Sequence, residues 1–230
     1  MKTAAVIALA AFVAACNPSA ADAPKAAAQA KTWPPGTVLA VDELPIGAEE
    51  VDAVSVYTER IEPHSSAPQL RRLALTNVVL PRALSRLMAP EARERARRDA
   101  DEMLAKLKRD PPMPSTKEDG AYGEIVTAGF TQLGIVPWGV AMDLGDGAWS
   151  DVIEEVGRFV ILKRIAKIDG PLPMATQVKV DALAFPWLPL ETLRVDVEAE
   201  HDKHKLTIVD PAWSDIVPEW IQYRMGVHAP

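Results

Sequence analysis

The sequence predicts an α+β fold, and three observations carry that prediction. Pro90 to Arg109 spaces its apolar residues as an amphipathic helix. Stretches at 149–165 and 177–198 alternate as strands do, and 20 prolines against 12 glycines cut the chain into short elements. With 230 residues, 48% hydrophobic and 25% charged, the composition suits one large globular domain or two small ones. A formal charge of −7 and a pI near 5.2 leave no cationic surplus to neutralise phosphates, so nucleic acid is not an expected partner. The one cysteine excludes an internal disulfide and a multi-thiolate metal site.

Lys2 followed by the apolar run Ala4 to Ala15 has the layout of a secretory signal and falls short of the roughly 20 residues of a spanning helix. The run ends Val13-Ala14-Ala15-Cys16, which resembles the bacterial lipobox. That resemblance implies cleavage after residue 15, a lipid on Cys16, and a membrane partner reached through that anchor. Asn17 stands where enterobacterial lipoproteins usually carry an inner-membrane retention Asp, which implies the outer membrane, facing the periplasm. Residues 17 to 31 hold seven alanines, two prolines and no large apolar side chain, so residues 16–33 read as a lipidated tether.

Val38 to Ile46 reads as a short strand running into a helix from Ala48 to Ile61, whose Glu49, Glu50 and Asp52 suit a helix N-terminus. Pro68 to Met88 fits helical spacing, with a strand over 73–80 as the alternative. In the helix 90–109, Glu91/Arg95, Glu94/Arg98 and Glu102/Lys106 place an acid four residues before a base. These interleaved acids make its arginines a solvated face rather than an anion site. After a proline-rich loop at 111–119 the chain predicts a short helix around Pro137 to Leu144. A hairpin of 149–153 and 158–165 follows, turning at Glu154 to Gly157.

Gly120-Ala121-Tyr122-Gly123, the run Ala141 to Ile153 and Gly157-Arg158-Phe159-Val160-Ile161-Leu162 together resemble the parvulin prolyl isomerases. The charged helix matches the family's first helix, so residues 90–168 read as a parvulin-like domain. Residues 34–89 resemble the helical chaperone segment of SurA-like periplasmic folding factors. The resemblance implies a folding factor of the bacterial envelope that binds unfolded or extended polypeptide, with the enzyme class of a peptidyl-prolyl isomerase. Two histidines that active parvulins use are missing: Asn77 and Phe159 stand at those places, and Pro137 where a pocket phenylalanine is expected. Catalysis is therefore expected to be weak, with a non-catalytic peptide-binding or assembly lipoprotein as the alternative. Trp138, Met142 and Phe159 are the candidate substrate-binding residues, as walls of an apolar cleft.

Residues 169–230 read as a β-rich extension, with strands at 177–185, 193–198 and 205–209 and a C-terminal helix carrying Trp220 and Tyr223. His201-Asp202-Lys203-His204 reads as a polar turn rather than a metal site. No Gly-x-Ser-x-Gly, phosphate-loop, dinucleotide or His-Glu-x-x-His motif occurs, so no cofactor or metal is expected. The lipobox yields the first prediction: Cys16→Ser abolishes acylation and moves the protein from the membrane fraction to the soluble one. Unchanged membrane fractionation of that variant would refute the lipid anchor.

Overall fold

In the computed structural model, which describes residues 31–109 and 122–227, the first element is a hairpin. β1 (Thr37–Val41) and β2 (Leu44–Gly47) pair antiparallel around a turn in which Asp42 adopts φ 50°. The single strand expected over 38–46 is thus two. The Asp42 carboxylate is held by a distant part of the chain, accepting from the Lys205 backbone N–H at 2.9 Å, and Asp is among the residues that enter the left-handed region most readily.

α1 (Ala48–Glu59) follows directly, then one continuous helical run, α2 (Ala67–Ala74), a π turn (Leu75–Val79) and α3 (Leu80–Met88). The helical reading of 68–88 holds, and no strand forms at 73–80. Pro81 explains the π turn, since it has no N–H and its ring would meet the carbonyl of Asn77 in an ordinary helix. The wider turn, closed by the Leu80 N–H on the Leu75 carbonyl, lets the helix pass the proline. Ser66 starts the run as a capping box, its N–H bonded to Gln69 Oε1 at 2.8 Å.

α4 spans Pro90–Arg109, as the spacing predicts, and buries Ala96, Ala100, Met103, Leu104 and Leu107. Then come β3 (Tyr122–Ala128), α5 (Phe130–Leu133), α6 (Ile135–Asp143), β4 (Ile153–Glu155) and β5 (Arg158–Ile168). β6 (Gln177–Pro186), α7 (Leu193–Glu200), β7 (Leu206–Ile208) and α8 (Glu219–Arg224) complete the chain. The class is mixed α+β, with a three-stranded sheet ordered β2-β1-β7 and a four-stranded antiparallel sheet ordered β3-β6-β5-β4.

Three expectations change. The hairpin turns at Val156-Gly157, and 149–152 is no continuous strand: Trp149 lies opposite Lys163 and the Ser150 N–H donates to the Leu162 carbonyl at 2.7 Å. Residues 193–198 are helical: Leu193 and Val197, four apart, face the core, while Val195 is 71% exposed. The first and last of the three alternating residues are an i, i+4 pair that also makes one helical face, and the Thr192 hydroxyl bonded to Asp196 Oδ2 at 2.6 Å favours the helix. Finally, residues 169–230 are no separate β extension. β6 stands inside the large sheet between β3 and β5, and β7 pairs with β1, so divisions at 89 and 168 run through shared sheets and cores.

The large sheet carries a helix on each face. Phe159, Ile161, Leu183 and Phe185 pack beneath α4, whereas Val160, Leu162, Val178 and Val180 point the other way, toward α6. Strand alternation thereby divides the apolar interior into two clusters. α6 reaches α1 only because position 139 is glycine, where a Cβ would lie 2.1 Å from Cδ1 of Tyr57. Gly139→Ala is therefore expected to destabilise the fold by ~1–3 kcal/mol through overpacking. Tyr57→Ala in the same chain should recover part of that loss, and strictly additive melts of the two changes would contradict the contact.

Candidate functional site

The structure separates the three residues expected to wall a cleft. Trp138 is fully buried, its Nε1 donating to the Thr176 carbonyl at 3.0 Å and its ring edge-on to Phe130. Met142 lies half-buried on that same α6 face, and its carbonyl accepts from Arg164 at 3.0 Å. Phe159 is fully buried on the opposite face under α4, 4.8 Å from the Trp187 ring. The sheet lies between them, so Trp138, Met142 and Phe159 form no common groove. The reason is strand periodicity, which turns Phe159 one way and its neighbour Val160 the other. Cys16 lies outside the described residues.

An open cleft does lie on the α6 face, built from the neighbours of those residues. Val160 and Leu162 of β5, Ala182 and Ala184 of β6 and Val126 of β3 form its floor. Leu133 and Pro137 wall one side, and Leu190, 40% exposed, overhangs it. The depression of about 290 Å³ exists because β6 presents alanines here, opposite Leu162 and Val160 in register. Of its lining side chains only Gln132 and Arg158 are polar. Sequence spacing pointed to the right strand and helix but to the wrong side of each.

Arg158 connects the cleft to a cluster of charges on the β4–β5 hairpin. Its Nη2 lies 3.8 Å from Glu155 Oε2, and both side chains share the cleft face of the sheet. Gly134, with φ 93°, is required beside them, because a Cβ there would sit 2.8 Å from Glu155 Oε2. Burial pushes the Glu155 carboxyl up to about 7 against the opposing pull of Arg158 and Arg82. Glu154, on the α4 face, accepts from Arg86 Nε at 2.8 Å and from Arg93 Nε at 2.9 Å. Burial would raise its carboxyl as well, yet the hydrogen bonds and charges of Arg86 and Arg93 outweigh that and bring it down to about 2.

Arg86 also donates to Glu50 at 2.8 Å, and Arg82, 7% exposed, lies 3.7 Å from the same carboxylate. Nε and Nη2 of Arg82 have no hydrogen-bond partner among the described residues. Sequence reading passed over this cluster by treating Glu154 and Glu155 as turn residues. The signal available was the stripe Arg82, Arg86, Arg93, spaced four and seven along successive helices, with two adjacent acids before a strand.

Asn77 lines a different pocket of about 310 Å³, between the π turn and α7, together with Pro81, Val197, His201 and the half-exposed Trp220. His201 is buried there, Nδ1 3.2 Å from the Glu198 carbonyl and the ring 5.9 Å from Trp220. His204 turns away to Asp42 Oδ2 at 2.6 Å and Glu200 Oε2 at 3.0 Å. Burial would raise the Asp42 carboxyl, but its bonds from His204 and Lys205 hold it below the usual carboxylate range. The two histidines thus serve different contacts, closing α7 onto α8 and onto the β1–β2 turn. Among the described residues no group of His, Cys, Asp and Glu is arranged to hold a metal.

The two adjacent glutamates oppose one another in their pH dependence. Glu154 is ionised when folded at pH values where the unfolded chain would be protonated, so its stabilisation is complete above about 4.5 and is lost as pH falls toward 2. Glu155 stays protonated when folded up to about 7, so stability falls as pH rises from 4.5 to 7. The slope of that fall approaches ~1.4 kcal/mol per pH unit. Glu155→Gln is expected to flatten thermal stability between about pH 5 and 7 while the acid limb remains. A variant curve parallel to wild type across that window would refute the buried, protonated Glu155. No family model matches the chain, and no curated protein or solved structure matches it either.

Proposed function

We propose that this chain is a folding factor of the bacterial envelope, anchored by a lipid on Cys16, that binds unfolded or extended polypeptide on a parvulin-like sheet with little or no prolyl isomerisation. The observation that carries the reading is the apolar cleft on the α6 face, whose floor is a β-sheet and whose lining contains no histidine. An extended segment lying there would remove apolar side chains from water against Val126, Ala182, Ala184 and Leu190, and that burial is the main source of affinity for non-native chains. The order α4, β3, α6, β4–β5 hairpin over residues 90–168 supports the parvulin likeness. The likeness stops at 73–80, where the family's first strand would fall and this chain is helical. The strand beside β5 is β6 instead.

Prolyl rotation faces a barrier of about 20 kcal/mol, and an enzyme lowers it by holding the twisted imide more tightly than the planar one. Polar groups near the imide provide that difference, and this cleft offers only Gln132 and Arg158. Binding without much catalysis follows from such a lining, so the cleft supports a holding function ahead of a rotamase function.

The expected outcome is weak or undetectable acceleration of cis/trans exchange in a proline tetrapeptide, with clear suppression of aggregation of an unfolded outer-membrane protein. Ala184→Phe, which fills the cleft from its floor, should remove the suppression without shifting the melting temperature by more than a few degrees. Robust isomerase turnover, or suppression untouched by Ala184→Phe in a folded protein, would overturn the reading.

A further inference from the structure

We infer that the cleft selects anionic polypeptide segments, with Arg158 as the group that recognises a carboxylate next to an apolar residue; this rests on the peptide-binding reading above. The lining carries one cation and no acid: Arg158 stands at the rim of a surface that is otherwise apolar apart from the amide of Gln132. A cationic segment entering it would meet like charge and find no carboxylate in the lining, whereas an anionic one would meet a guanidinium beside an apolar floor.

Arg158 is also incompletely engaged by the protein. Its contact to Glu155 is 3.8 Å, beyond hydrogen-bond distance, while the intact ion pairs of the same cluster run at 2.8 and 2.9 Å. The Arg158 side chain is 31% exposed, so its guanidinium is reachable by a ligand in the cleft. The guanidinium can present two parallel N–H groups to one carboxylate, which a lysine could not do. The cleft's apolar floor then places the neighbouring side chain of the ligand against Ala182 and Ala184.

The charged groups facing Glu155 are Arg82 from α3 and Arg158 from β5, with Glu50, Glu154 and Arg86 gathered around Arg82. Gly134, packed against it from the α5–α6 junction, brings no charge. As Glu155 takes up a proton it releases its hold on Arg158, so affinity for an anionic ligand should rise as pH falls from about 8 to about 6.

The test is calorimetric titration of the full chain with blocked peptides of sequence Ala-Leu-Xaa-Pro-Leu-Ala, in which Xaa is Glu, Gln or Lys. A further Gln peptide has a free C-terminal carboxylate. The Glu peptide is expected to bind about tenfold more tightly than the Gln peptide, and the Lys peptide no more tightly than Gln. Arg158→Gln should erase the difference between Glu and Gln peptides. Glu155→Gln should widen it and abolish its pH dependence. A gain confined to the free-carboxylate peptide still supports the inference and assigns the anion to a chain end rather than a side chain. Equal binding of Glu, Gln and Lys peptides to wild type overturns the charge preference alone. No binding by any peptide removes the cleft reading and this inference together. Circular dichroism melts of both variants separate loss of recognition from loss of fold.

Discussion

The Glu154 carboxylate, held between Arg86 and Arg93, is the joint by which the β4–β5 hairpin meets α3 and α4. Through Arg86 the same network reaches Glu50, so a glutamate of a short strand ties together α1, α3, α4 and the hairpin. The side chains are largely buried, which makes their desolvation expensive, and only the density of hydrogen bonds offsets that loss. The drop of the Glu154 carboxyl to about 2 corresponds to ~3 kcal/mol of preference for the ionised form in the folded state. Removing one arginine would leave a largely buried carboxylate with a single cationic partner. Such an arrangement specifies how helices and sheet meet more sharply than an apolar contact of equal area could.

The neighbouring residue shows the reverse balance. Glu155 is only one position further along β4, yet strand alternation turns it to the α6 face, where Arg158 is loosely placed and Arg82 is shared. Burial wins there, and the carboxyl moves up instead of down. Adjacent glutamates therefore perform separate tasks, one fastening layers and the other setting the electrostatics of the cleft rim. Both rest on the two-residue period of the strand.

Chain closure has a similar economy. β7 returns to pair with β1, and His204 and Lys205 bond the Asp42 turn, so the end of the chain completes the sheet begun at its start. The α2–π–α3 run passes Pro81 without breaking, which keeps Arg82 and Arg86 on one helix and within reach of the hairpin. The cleft depends on this frame indirectly: α6 must approach both α1 and the sheet, which Gly139 and Gly134 permit by lacking a Cβ.

Much of this was legible in the order of residues. The α+β class, the charged helix 90–109, β5 and β6 all follow from local spacing, because helical and strand periods are written within a single element. Residues 193–198 were misread because the alternating set also contains the i, i+4 pair Leu193 and Val197, and only their packing shows that Val195 lies on the other side. The cleft was displaced by one residue, from Trp138 and Phe159 to Pro137 and Val160, because which face of a strand meets which helix is not a local property. The sequence by itself determined the charged helix, β5, β6 and the acidic, single-cysteine composition. Tertiary structure alone decided that Glu154 and Glu155 meet Arg82, Arg86, Arg93 and Arg158, since charges scattered over more than 70 positions become neighbours only when distant elements pack.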